Sequence, residues 1–266
     1  MIQTPVHLYH IAYSAQTLEQ VQPGYLILNN LENERPDWFE YWPIRQFLIQ
    51  DNMDEEAFYG FFSPKFLAKT GQTYQNVADY VRQHAHGTDV FLFSPQPDIS
   101  AFFLNVFEGG DLFNPGKIAA CEAFLSSIGI QVNLRSLVMD SRQIVFSNFF
   151  VARPRFWRRW LELNEKLFAA CEDPDHPLRE ELTSPTSYPN AQRKVFIMEG
   201  MASLLLTLEP QWKTKSANTF NFAWSGTRLS QFRKEAIISD ALKIAYRDQG
   251  FPEYMECFSN IRSNIN

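Results

Sequence analysis

Residues 89–93 read DVFLF, an acid followed by four apolar side chains, and the run stops at Ser94-Pro95. A strand with one face in water alternates apolar and polar residues, whereas a strand covered by helices on both faces shows no alternation. The run therefore predicts an interior strand in a sheet with helices on both sides. Immediately before it, Thr73 can cap a helix over YQNVADYVRQHA by accepting a bond from an orphan N–H, and Gly87 closes that segment. Earlier still, residues 57–62 (AFYGFF) read as a strand followed by a polar loop, SPKFLAKTG. Residues 6–13 (VHLYHIAY) give a first strand, and Gly24 releases a second over 25–28 that ends in Asn29-Asn30. A helix begins at Asp37 (WFEYWPIRQFLIQ), in which Pro43 either makes a kink or marks the true first turn.

Downstream of residue 93, Asn114-Pro115 is a helix start. Ile118, Cys121, Phe124, Leu125 and Ile128 then recur at helical spacing until Gly129. A strand pair is expected at 130–134 and 144–151, and Pro154 opens a helix over RFWRRWLELNEKLFAAC. Residues 172–190, with four prolines, form a long loop. A helix over 195–208, a short strand in WKTKSA, the aromatic stretch TFNFAWSG and an amphipathic helix over 233–247 complete the chain, without an internal repeat. Strands alternating with helices over the first half imply crossover connections, so the fold class is α/β with a mostly parallel sheet flanked by helices.

The 266 residues, 45% hydrophobic and 20% charged, can bury a substantial core, and no low-complexity stretch divides them, so one α/β domain over 1–266 is expected. A net charge of −6 argues against nucleic acid or an anionic lipid surface as partner. Cys121, Cys171 and Cys257 have no zinc-site spacing and read as reduced and mostly packed. The amino-terminal stretch lacks a leader pattern and no apolar run approaches the ~20 residues of a membrane span. The sequence thus reads as cytoplasmic with no transmembrane segment.

In open α/β sheets ligands bind beyond the carboxyl ends of the strands. The segments leaving those ends carry Tyr13, Asn29, Asn30, Arg35, Ser63, Lys65, Lys69, Asp98 and Asn148. Lys65 and Lys69 either neutralise a diphosphate or are ordinary solvated lysines. Glu199, within the apolar segment KVFIMEGMASLLL, is either a carboxylate lining a cleft, with a raised pKa suited to a general base, or a helix-surface acid paired with Arg193 or Lys194. Arg155 and Arg159 share a helix face, as an anion patch or a solvated surface.

Several chemistries lack their signatures. There is no GxGxxG, no GxxxxGK[ST] and no GxSxG, and GGD at 109–111 reads as a turn. The five histidines read as structural; His7 and His10 fall on opposite faces of one strand. The only Asp-x-Asp, at Asp173 and Asp175, follows a helix and not a strand, which makes it a poor metal site.

Four segments together, YLILNNLENERPDWFEYWPIRQFL (25–48), FYGFFSPKFLAKTG (58–71), NFFVARPRFWRRWLELNEKLF (148–168) and KVFIMEGMASLLL (194–206), resemble bacterial glycosyltransferase-like proteins of capsule and lipopolysaccharide clusters. The matching positions are Tyr59, Gly60, Ser63, Lys65, Lys69, Asn148, Phe149, Phe150 and Glu199. The resemblance implies a GT-A-like (Rossmann-like) fold with a nucleotide-sugar-binding half over about 1–150 and an acceptor-side helical half over about 151–266. It further implies transfer from a nucleotide-sugar donor to a glycan or lipid-linked glycan acceptor, at a location extending to the periphery of the inner membrane. Two departures stand out: no Asp-x-Asp ends a strand, which leaves the family's Mg2+ or Mn2+ open, and Gly200 follows Glu199 where an arginine is common. On that reading Glu199 is the base, and Lys65, Lys69 or an arginine offsets charge on the leaving diphosphate. The alternatives are a non-catalytic glycan-binding or scaffold protein on the same fold, and a phosphate-handling hydrolase.

Overall fold

Six strands share one sheet in the computed structural model, which describes residues 4–50 and 52–265. They are β1 (Val6–Ala12), β2 (Leu26–Asn29), β3 (Phe58–Phe62), β4 (Val90–Leu92), β5 (Phe150–Ala152) and β6 (Thr214–Ser216), in the spatial order β2-β1-β3-β5-β4-β6. β1 pairs parallel with β2 and β3, and β4 parallel with β6, while β5 runs antiparallel to both of its neighbours. The chain is therefore α/β with a mixed, mostly parallel sheet, and two of its six strands come from the second half of the sequence.

The helices on either side are α1 (Ala15–Glu19), α2 (Tyr41–Ile49), α3 (Phe66–Thr70), α4 (Tyr74–His84), α5 (Pro97–Phe102), α6 (Val106–Phe113), α7 (Lys117–Ser127), α8 (Pro154–Glu172), α9 (Arg179–Leu182), α10 (Arg193–Leu208), α11 (Arg233–Gln249) and α12 (Pro252–Ile265). Among the described residues no helix is long and apolar enough to cross a membrane. Cys121 and Cys171 are buried free thiols and Cys257 is an exposed one.

The doubly covered strand reading holds for β4, and its alternation separates two cores. Val90 and Leu92 pack into the core that contains α8 and α10, while Phe91 faces the smaller core under α4. β3 divides the same way, with Tyr59 and Phe61 on the first side and Phe58 and Phe62 on the second. α8 is fastened to the sheet by Trp157, whose indole N–H donates to the Tyr59 carbonyl at 2.9 Å and whose ring stacks on Phe150 with centroids 4.2 Å apart. Gly60 permits the β3–β5 approach: a Cβ there would lie 2.8 Å from Val151 Cγ2.

Local chemistry explains where the elements begin. Thr73 accepts from the Asn76 amide in a reciprocal capping box and starts α4 as expected. Residues 36–38 form a short 3-10 turn, Phe39 reverses the chain at φ 48°, and only then does α2 begin, so Pro43 lies in its first turn.

Other expectations fail for identifiable reasons. The SPKFLAKTG loop contains α3, which Gly71 closes at φ 67°. Residues 109–111 are not a turn but lie within α6, which Asn105 caps by accepting from two backbone amides. Residues 130–134 are not a strand: the Glu122 carboxylate accepts from the Leu134 amide and the Asn105 amide donates to the Leu134 carbonyl, so side chains take the groups a ladder would use. The partner expected at 144–151 shrinks to β5 because Ser147 and Asn148 both adopt left-handed backbone, at φ 58° and 53°. The 172–190 loop carries α9, the α7 start moves two residues past Pro115, and α1, α5 and α12 form where the sequence reading places no helix.

Candidate functional site

Five of the strands point the same way, so their carboxyl ends form a common rim. β1 delivers Tyr13 there, β2 delivers Asn30, β3 delivers Ser63 to Lys65, and β4 delivers Gln96. The reversed strand contributes Ser147, three residues before its start. These residues line a cavity of about 920 Å³, closed on its other side by Tyr188, Asn190, Phe196 and Glu199 from the long loop and α10, and by Asp37, Phe39 and Glu40 from the entry to α2.

Six of the candidate residues therefore meet in one cavity: Tyr13, Asn30, Ser63, Lys65, Lys69 and Glu199. Four do not line it. Asn29 accepts from the Leu31 amide in the turn after β2. Arg35 is held in ion pairs with Asp37 and Glu172 at 2.9 and 2.6 Å. Asp98 is fully buried and spends its carboxylate on the amide and hydroxyl of Ser225. Asn148 is buried beneath the rim, its Nδ2 3.7 Å from Met198 Sδ. Arg155 and Arg159 likewise form no free anion patch, since they pair with Asp89 and with Glu209 and Glu162.

The cavity's electrostatics come from two lysines and two carboxylates. Lys69, on α3, donates to the Ser147 hydroxyl at 2.8 Å and lies 5.5 Å from the Phe149 ring centroid. Burial pushes its pKa down, against the pull of the Glu199 and Glu40 charges. Lys65, four residues earlier, is exposed at the mouth. Burial pushes Glu199 up, with Lys117 and Lys69 opposing. The pairing alternatives for Glu199 are gone, because Arg193 is bound to Glu181 and Lys194 to Asp37.

Glu40 is the functional candidate that sequence reasoning missed. Burial and the neighbouring Glu199 charge raise its carboxyl to about 7, while Lys69, a hydrogen bond from the Ser63 hydroxyl and Lys65 pull it back. Burial holds both carboxyls toward their protonated forms, and at Glu40 the Glu199 charge adds to it, which is the direction a general base working near neutral pH requires. The available signal was the one that marked Glu199, an acid inside an apolar run, here WFEYW at 38–42.

Backbone strain gathers at the same place. Asn33, Phe39, Gln96, Ser147, Asn148 and Asn190 are the described non-glycine residues with positive φ. All but Asn148 line the cavity. Left-handed backbone costs such residues about 1–2 kcal/mol each and persists where the surroundings over-determine it, commonly at functional sites.

Among the described residues the side chains do not make a divalent-ion site. Asp173 and Asp175 are exposed beyond α8, Asp37 is committed to Arg35 and Lys194, and Glu40 and Glu199 share their space with ammonium groups. Among the described residues no group of three or more His, Cys, Asp or Glu gathers as ligands. The glycine after Glu199 has a packing cause: a Cβ at Gly200 would lie 2.6 Å from the Phe107 ring, leaving no room for an arginine. No protein family model, curated protein or solved structure matches the chain.

Proposed function

We propose that this chain is a glycosyltransferase of the GT-A-like type, moving a sugar from a nucleotide-diphospho-sugar donor to a glycan or lipid-linked glycan acceptor. The reading is carried by the convergence of Lys65 and Lys69 with Glu40 and Glu199 in one cavity at the carboxyl rim of the sheet. Ammonium groups offset charge on a departing diphosphate, and a carboxylate raised toward neutrality removes a proton from an attacking hydroxyl. In the transfer step the acceptor oxygen bonds to the anomeric carbon, the bond from that carbon to the diphosphate oxygen breaks, the diphosphate leaves with the electron pair, and Glu199 takes the hydroxyl proton. Glu40, sharing charge with Glu199, sets how much of the pair is ionised.

A donor that binds only the folded chain stabilises it by about 2.7 kcal/mol at a hundred times its Kd, a melting rise of roughly 5 °C or more at this size. Screening uridine, guanosine and cytidine diphospho-sugars by thermal shift should identify such a donor. Glu199→Gln should keep that stabilisation while release of nucleoside diphosphate in the presence of acceptor falls on the order of a hundredfold or more. Stabilisation by free oligosaccharide and by none of the nucleotide sugars would instead establish the non-catalytic glycan-binding reading.

A further inference from the structure

Beyond Glu199 a second cavity of about 480 Å³ opens, sharing Gln96, Tyr188, Phe196 and Glu199 with the first. Two of its polar groups, Lys117 and Asn114, are buried with little to satisfy them. Lys117, the first residue of α7, is only 5% exposed, yet among the described residues it forms no ion pair; its ammonium donates to the Val106 carbonyl at the long distance of 3.5 Å and lies 5.5 Å from the Phe107 ring centroid. Asn114, 7% exposed, has a buried Nδ2 without any hydrogen-bond partner. Gly110 of α6 makes the place for this ammonium: a Cβ there would collide with Lys117 Nζ. Phe113, Tyr188 and Phe196 supply flat apolar walls.

Burying an ammonium without a direct ion-pair partner is costly, as is leaving a buried amide donor unpaired. An anion entering the cavity satisfies both. The Glu199 charge acts on Lys117, so this site tolerates one further negative charge better than two. The aromatic walls match the apolar face of a sugar ring. We propose that this second cavity binds a carboxylate-bearing sugar, a uronic-acid-type residue whose carboxylate meets Lys117 and Asn114. Its place as the acceptor, with a hydroxyl turned toward Glu199, rests on the transferase reading, while the binding does not.

The test titrates the full chain, without nucleotide, against methyl glucuronide, methyl glucoside and methyl glucoside 6-phosphate by saturation-transfer NMR. The wild type should bind the glucuronide about tenfold or more tightly than the glucoside, since a charged hydrogen bond is gained or lost between them. Lys117→Met, which keeps the buried stem, should bind the two sugars equally. Equal binding of glucuronide and glucoside by the wild type overturns the proposal even should the variant fail to fold. So does a preference that survives in Lys117→Met, or tighter binding of the phosphate than of the uronide. Donor stabilisation is measured separately, so absence of nucleotide-sugar binding with intact uronide selectivity would remove the transferase reading and leave this site standing.

Discussion

Replacing Glu40 with Gln removes one ionisable group from the cleft and keeps its size and its hydrogen-bond acceptor for Ser63. The native carboxyl sits at about 7 against an ordinary 4.5, chiefly because burial and the Glu199 charge disfavour ionisation. Below pH 4.5 both the folded and the unfolded chain carry the proton, and nothing is lost. As pH rises toward 7 the unfolded chain gives its proton up while the folded chain retains it, so unfolding releases a proton and stability falls. Above 7 the full penalty is present: the interval between 4.5 and about 7, at about 1.4 kcal/mol per pH unit, amounts to about 3 kcal/mol. That is a large share of the 5–15 kcal/mol typical of folded proteins. Glu40→Gln should therefore match the wild type near pH 4 and exceed its stability by about 3 kcal/mol near pH 8. Urea unfolding at four pH values reads the difference, provided the denaturant slope is unchanged. Parallel stability curves for the two proteins, or a variant weaker at pH 8, would refute the placement of Glu40 in a shared, poorly solvated carboxyl pair.

Lys69→Met preserves the stem beside Phe149 and removes the ammonium that bonds Ser147; nucleoside diphosphate affinity should fall about tenfold, whereas exposed Lys65→Met should lose roughly threefold, and calorimetry showing the reverse order would displace Lys69 from the diphosphate. Asp98→Ala should cost about 3 kcal/mol in urea unfolding by stripping two hydrogen bonds from buried Ser225, with donor affinity unchanged because Asp98 does not line the cleft. Gly60→Ala should cost about 1–3 kcal/mol, since its Cβ must displace Val151; a neutral result would mean that β3 and β5 are less closely apposed.

What could be read in the sequence was local. The apolar run of β4, the Thr73 cap and the polar segments leaving β1, β2 and β3 are decided by neighbours a few residues apart, and five candidates accordingly arrive in the cavity together, where Glu199 of α10 joins them. What could not be read depends on distant partners. Asp98 looks like a strand-exit acid, but its carboxylate turns inward to Ser225, 127 residues away. Residues 130–134 have a strand's composition, yet the Asn105 and Glu122 side chains claim the backbone. Glu40 enters the cleft only because Phe39 takes a left-handed backbone, which no periodicity in WFEYW announces. GGD hid a helix because glycine is a poor helix former, and its use became visible only with Lys117 beside it.

The reversal of β5 is what brings these pieces into one site. In a wholly parallel sheet only the segments leaving strands reach the carboxyl rim; a reversed strand delivers there the segment that enters it. β5 accordingly presents Ser147 beside the exit of β3, where Lys69 donates to its hydroxyl. That bond joins α3, a helix following one strand, to the turn preceding another, and holds an ammonium group inside the rim where solvent alone would leave it free to move. The two successive left-handed residues at 147 and 148 are the local cost of turning the chain into that reversed strand. The same strand that interrupts the parallel pattern therefore fixes the position of the Lys69 ammonium, the cation to which the proposed function assigns the diphosphate.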